Sequence, residues 1–315
     1  INFNELNNYI VKADKELDHY KIKRDENYYF YSTIKPFNKH NKENILIQGD
    51  SWAEIAQQKE IYTFLKEYSE KNKLGIINGG ISSYSVSPMA GQLFILKKEF
   101  NINPTILIAT IDQTDIGDEI YRYRSLNKTG LAPTLTNLHR KFFKKVINNF
   151  DKTNFAFFKL IQYTSLYFNL HKDIYKLDNF NTLKIIAKKA KAKLFGIPVV
   201  LSPLRFGIDE FEKNIIKERI NNYINLALKN DSLKKIYFVT HPHLNHLTSF
   251  GGKYVISIAD IIDEIILSSS HSSVLEHINF SKLNKSIDPS LFLEGDDFSH
   301  LTIEAYRDYY WPSIL

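Results

Sequence analysis

The chain has 315 residues, 43% of them hydrophobic and 24% charged, which suits one large globular domain or two small ones with a sizeable core. Lys and Arg number 41 against 35 Asp and Glu, a net charge of +6; the charges are interspersed and no nucleic-acid motif occurs, so the balance supplies at most mild steering of an anionic substrate or surface. Cysteine is absent, which excludes disulfides, thiolate catalysis and cysteine-based zinc or iron–sulfur sites.

The longest apolar stretches, such as 195–204, are broken by Gly and Pro and fall short of the roughly 18 residues a membrane span needs. A soluble chain is expected. The start at Ile1 fits a processed or truncated chain, which leaves an upstream signal peptide or anchor, and with it the choice among cell envelope, periplasm and cytoplasm, open. Richness in Lys, Asn and Ile resembles the product of an AT-biased bacterial genome.

In chain order, residues 3–24 place Phe3, Leu6, Ile10, Val11, Leu17 and Tyr20 among charges, a pattern that predicts an amphipathic helix. Aromatic, β-prone Tyr28 to Ile34 reads as an added strand or arm. Residues 1–43 are thus expected to pack on a main domain formed by 44–315, and no chemistry is assigned to them. Asn44 to Gln48 is the first core strand. In the stretch ILIQGDSW, period 2 gives way at Gly49 to helical spacing through Trp52, Ile55, Ala56, Ile61, Phe64, Leu65 and Tyr68. Ser51 therefore sits where a strand ends and a helix begins, beside free N–H groups and the positive end of the helix dipole. That is a good address for a nucleophile.

Leu74 to Ile77 predicts a second strand, ended by Asn78-Gly79-Gly80-Ile81-Ser82-Ser83-Tyr84. A Gly pair there either lets backbone N–H groups approach a ligand or makes a tight turn. Pro104 to Ala109 predicts a third strand, followed by Thr110-Ile111-Asp112-Gln113-Thr114-Asp115. The acids Asp112, Asp115, Asp118 and Glu119 read first as dipole partners of a following helix and only second as a cation site. Residues 121–190 form a basic, aromatic stretch: Tyr121-Arg122-Tyr123-Arg124, then 139–145, then six Phe or Tyr between Phe155 and Leu170. It reads as a helical cap, with a lid or membrane-facing surface over 121–170 as the sharper alternative.

Thr182 to Lys193 predicts a helix, Ile197 to Leu201 a strand, 209–229 a helix and Lys235 to Val239 another strand. That strand leads into His241-Pro242-His243-Leu244-Asn245-His246. The spacing lacks the helix and glutamate of the usual zinc hydrolase signature, so no metal and no cofactor is expected. A structural loop or a substrate contact through His241 and His243 fits better, alongside Asp50 and Trp52 next to the nucleophile. Helix is predicted from Tyr254 to Leu267 and a last strand or extended piece from Val274 to Phe280. Asp297-Phe298-Ser299-His300 then precedes a final helix capped by Thr302, with Glu304 in its first turn. Three residues apart, the carboxylate of Asp297 can reach Nδ1 of His300 and leave Nε2 free to take a proton from a serine hydroxyl.

Strand-Gly49-Asp50-Ser51 near the start and Asp297-x-x-His300 near the end resemble the SGNH hydrolases, also called GDSL esterases. The resemblance covers most of 44–315, with the first and last blocks clear. It implies a three-layer α/β fold with a mainly parallel, flavodoxin-like sheet plus the helical insertion. It further implies a serine esterase in which Ser51, His300 and Asp297 form the triad and the N–H groups of Ser51 and Gly80 bind the oxyanion. Ser83 stands where many members carry another glycine. In the third block, usually Gly-x-Asn-Asp, Thr110 replaces the glycine and Asp112 falls on the asparagine. An ionised carboxylate has no donor, so Asp112 serves there only if protonated, and Gln113 or Thr114 is the other source of a donor. The expected substrate is a small or glycan-borne ester, acetyl above all; an O-acyltransferase with the same triad and a non-catalytic glycan-binding domain are the alternatives.

Overall fold

The computed structural model describes residues 10–14, 19–24, 27–35, 43–82, 84–113, 115–119, 210–241, 257–280, 288–293 and 300–315. The expected insertion at 121–190 and the helix and strand predicted within 182–201 lie outside the described residues.

Five parallel strands make the centre: β4 (Asn44–Gln48), β5 (Gly75–Asn78), β6 (Ile106–Asp112), β7 (Lys235–His241) and β8 (Leu275–Asn279). Their spatial order is β5-β4-β6-β7-β8. Counted along the chain this is 2-1-3-4-5, the flavodoxin-like order, with its switch point between β4 and β6. Every residue of β4 and β5 is buried, as expected for parallel strands covered on both faces.

Alternation along the strands sends their side chains to two cores. Leu46, Ile77, Leu107, Ala109, Ile111, Ile236 and Phe238 face one layer with helices α3 (Val86–Phe100), α5 (Glu210–Ala227) and α6 (Ile258–Ser268). Ile45, Ile47, Ile76, Ile108 and Val239 face the other, where Trp52, Ala53, Ile61 and Leu65 pack with Tyr306, Tyr310 and Trp311. That second layer is built from α1 (Ser51–Glu54), a 3-10 turn at Ile55–Gln57, α2 (Lys59–Asn72) and the C-terminal segment. A short helical turn, α4 (Asp115–Gly117), follows β6. The C-terminal segment comprises α7 (Ile303–Ala305), a π-helical turn at Tyr306–Tyr310 and α8 (Trp311–Ile314).

The amino-terminal region departs from expectation. Within the stretch expected to be helical, the described residues form two strands, β1 (Ile10–Asp14) and β2 (His19–Arg24). They join β3 (Asn27–Lys35) in an antiparallel extension that pairs with β5. The alternation Tyr20, Lys21, Ile22, Lys23 has period 2, and that local signal outweighs the looser helical spacing of apolar residues across 3–24.

A buried polar node ties the layers together just before the Gly49 turn. Gln48 Nε2 donates to Met89 O at 3.0 Å and to Gln92 Oε1 at 2.7 Å, and its Oε1 accepts from the Tyr223 hydroxyl at 2.8 Å. Gln92 Nε2 in turn donates to Gly79 O at 2.8 Å. Strand β4, helices α3 and α5 and the turn after β5 are thereby held in one register, and each buried polar group has a partner as its desolvation demands.

Candidate active site

The turn that carries Ser51 is set by steric necessity. Gly49 has φ +146°, and a Cβ there would lie 1.8 Å from Thr110 Oγ1 and 2.6 Å from Thr110 O on the neighbouring strand. Only glycine fits between β4 and β6 at this point. Asp50 then caps α1: its Oδ1 accepts from Trp52 N at 2.9 Å, and its carbonyl accepts from Ala53 N at 3.1 Å and Glu54 N at 2.9 Å. Of the first four helical N–H groups, that of Ser51 is the one Asp50 does not engage.

Ser51 Oγ lies 2.6 Å from His300 Nε2, across 249 residues of sequence. His300 is set against the body by Leu293 N, which donates to His300 O at 2.9 Å, and by the bridge of Phe292 to Leu301. Thr302 caps the helical segment beyond it, its Oγ1 accepting from Ala305 N at 3.2 Å. Asp297, Ser83, Thr114, His243 and His246 lie outside the described residues.

The groups expected around the oxyanion have other engagements. Gly80 N donates to Asn78 Oδ1 at 2.9 Å. What the position requires of glycine is space, since a Cβ would lie 2.3 Å from Ala53 C and 2.4 Å from Glu54 N. The turn after β5 is stitched to the nucleophile turn by Gly79 N to Ile47 O at 2.7 Å and Ile81 N to Gly49 O at 3.0 Å. Gln113 Oε1 accepts from Ile258 N at 2.8 Å, at the first turn of α6. The Asp112 carboxylate faces His241 across a 3.7 Å gap from Oδ2 to Nε2, while Asp112 N donates to Asp115 Oδ2 at 2.9 Å.

Asp50, Trp52 and His241, expected to touch substrate, form an interior cluster under α1, each 3% exposed or less. The Trp52 and His241 rings stack with centroids 3.6 Å apart, and Tyr306 and Tyr310 each meet Trp52 at 5.3 Å. Tyr306 and Tyr310, four residues apart in the π-helical turn, meet each other at 5.5 Å as well. Burial, and next the charge of Asp112, push the Asp50 carboxyl well above the ordinary carboxylate range. Burial and the charges of Asp50 and Asp112 do the same to Asp115.

Of the acids after β6, Glu119 belongs to helix capping: it accepts from Ser85 Oγ at 2.6 Å, Ser87 N at 2.5 Å and Ser87 Oγ at 2.7 Å at the start of α3. Asn78, which holds the Gly80 N–H, has as its one sequence signal its place two residues before the glycine. Among the described residues no helix is long and apolar enough to cross a membrane.

No protein-family model matches the chain, and no curated protein matches it. Among solved structures, an α/β hydrolase enzyme from the metagenome of Lake Arreo, Spain, aligns with 87% of this chain and 93% of its own at 11% identity and a TM-score of 0.41. A gut microbial diltiazem-metabolizing enzyme aligns with 89% of this chain and 48% of its own at 14% identity and a TM-score of 0.33.

Proposed function

We propose that the protein is a serine hydrolase acting on carboxylic esters, in the manner of the SGNH hydrolases, with Ser51 as nucleophile. The observation that carries this reading is the 2.6 Å approach of Ser51 Oγ to His300 Nε2 at the carboxyl end of β4, on the switch point of the sheet. A serine and an imidazole from opposite ends of a chain meet at hydrogen-bond distance where ligands of open parallel sheets bind.

In this mechanism Ser51 Oγ attacks the ester carbonyl as His300 Nε2 takes its proton. The tetrahedral oxyanion is received by Ser51 N–H at the start of α1, where the helix dipole also favours negative charge. His300 returns the proton to the departing alkoxide, and water, deprotonated by the same nitrogen, releases the acyl group. Asp297 orients the imidazole and stabilises its cation. Short acyl groups, acetyl above all, on a glycan or small alcohol are the substrates proposed, and an alcohol in place of water would make the same machinery an O-acyltransferase.

A second reading, a glycan-binding domain with a decayed catalytic site, draws on two observations: the Gly80 N–H is given to Asn78, and Asp112 stands in place of an amide donor. Losing one oxyanion donor costs about 10²- to 10³-fold in rate. Turnover of p-nitrophenyl acetate separates the two readings. The esterase reading expects turnover by the parent that Ser51→Ala abolishes; turnover equal in both proteins, or none by a folded parent, favours the binding domain.

A further inference from the structure

Strand order brings three side chains distant in sequence to one point beneath α1. Asp50 follows β4, Asp112 ends β6 and His241 ends β7, and Asp112 and His241 are register partners across the parallel ladder. All three are 3% exposed. One ligating atom from each lies within 4.8 Å of those of the other two. A single point about 2.8 Å or less from all three atoms therefore exists, so closing onto metal–ligand bonds of about 2.1 Å needs shifts of well under 1 Å. The 3.7 Å from His241 Nε2 to Asp112 Oδ2 exceeds a hydrogen bond and is close to the roughly 3.4 Å between two ligands of one tetrahedral ion.

Independent groups point at the same place. The Tyr310 hydroxyl is buried and has no hydrogen-bond partner among the described residues, and its ring meets Trp52 at 5.3 Å and His241 edge-on at 6.5 Å. The charges of Asp50 and Asp112 both act on that hydroxyl. Asp115 Oδ1, which the charges of Asp50 and Asp112 reach first among its neighbours, is likewise buried without a hydrogen-bond donor among the described residues. Carboxylates gathered in a low-dielectric interior repel one another, and a doubly charged ion between Asp50 and Asp112, with a neutral imidazole as third ligand, cancels their charge.

We propose that Asp50, Asp112 and His241 bind one divalent transition-metal ion, Zn²⁺ or Mn²⁺, as a structural ion beneath the nucleophile helix, with the Tyr310 hydroxyl beside it. A set of two carboxylates and one imidazole suits these ions better than Mg²⁺ or Ca²⁺, which take oxygen alone. By fixing the Asp50 carboxylate, the cap of α1, the ion fixes the helix on which Ser51 stands. The inference does not depend on the esterase reading, since the site can hold an ion whether or not Ser51 reacts.

The test is the metal content of the full chain, expressed with Zn²⁺ and Mn²⁺ supplied and purified without chelator. The expected result is close to one ion per chain, a lower melting temperature after EDTA, and recovery on adding the ion back. Asp112→Asn and His241→Gln should each weaken binding by about 100-fold or more, whereas the pair His243→Ala and His246→Ala should leave it unchanged. Because a buried substitution can unfold the chain, X-ray absorption at the metal edge of the parent gives a second reading, expected to show one imidazole among oxygen ligands. A folded parent with no ion and no thermal response to Zn²⁺ or Mn²⁺ overturns the proposal and leaves protons to neutralise the cluster. Equal binding by Asp112→Asn, or a shell of several imidazoles, overturns it by placing the ion elsewhere.

Discussion

Gly80→Ala tests how the turn after β5 supports the nucleophile. The new methyl carbon would lie 2.3 Å from Ala53 C, 2.4 Å from Glu54 N and 2.6 Å from Ala53 Cβ. Carbon atoms in contact sit about 3.5 Å apart or more, so the two backbones must separate by roughly 1 Å. The surface that yields is the middle of α1, one turn from Ser51. Overpacking of this kind costs about 1–3 kcal/mol of stability. Moving Ser51 by even part of that distance degrades its 2.6 Å contact with His300, and misplacement of a reacting group by 1 Å costs on the order of 10²-fold in rate. The alanine retains its backbone N–H, so the loss is steric and not the removal of a donor. Urea denaturation and kcat/KM on p-nitrophenyl acetate measure the two effects. A variant with parent-like stability and kinetics would refute the close packing of this turn on the nucleophile helix.

Tyr223→Phe removes the donor to Gln48 Oε1 and leaves a buried acceptor unmatched, which should lower the unfolding free energy by about 1–3 kcal/mol in urea titrations. Asp297→Asn should reduce turnover by about 10⁴-fold if Asp297 orients His300, while Asp296→Asn, at the neighbouring acid four residues before His300, should leave kcat close to that of the parent. Glu264, held below the ordinary carboxylate value of 4.5 by its hydrogen bonds to Lys213 and then Lys217, contributes stability that is present above that value and lost as pH falls through its folded value. Because the Glu264 side chain is solvent-accessible, Glu264→Gln should differ only slightly from the parent at neutral pH and low salt, and the difference should shrink in concentrated salt and as pH falls below the ordinary carboxylate range.

What the sequence made legible follows from where each signal resides. The strand–turn–helix at Gly49 was readable because the change of period and the Gly-Asp-Ser triplet are contiguous. The core strands from Asn44, Lys235 and Leu275 were readable as short apolar runs, and Thr302 as a cap. The strands at 10–14 and 19–24 are hidden in the sequence because a few apolar residues among charges satisfy period 3.6 nearly as well as period 2. Partnerships that depend on tertiary neighbours left no local mark. The Gly80 N–H goes to Asn78, Gln113 serves α6, and Asp112 meets His241 because β6 and β7 happen to be adjacent. The contact of Tyr306 and Tyr310 with Trp52 is of the same kind: their spacing of four places them on one helical face, but which side chain meets that face is a tertiary matter.

The central claim is that His300 activates Ser51. Labelling with a fluorophosphonate probe, followed by mass spectrometry of the modified peptide, tests it most directly. One adduct is expected, on Ser51, lost in Ser51→Ala and nearly lost in His300→Ala while both variants remain folded. An unlabelled, folded parent, or labelling that survives Ser51→Ala, would contradict it.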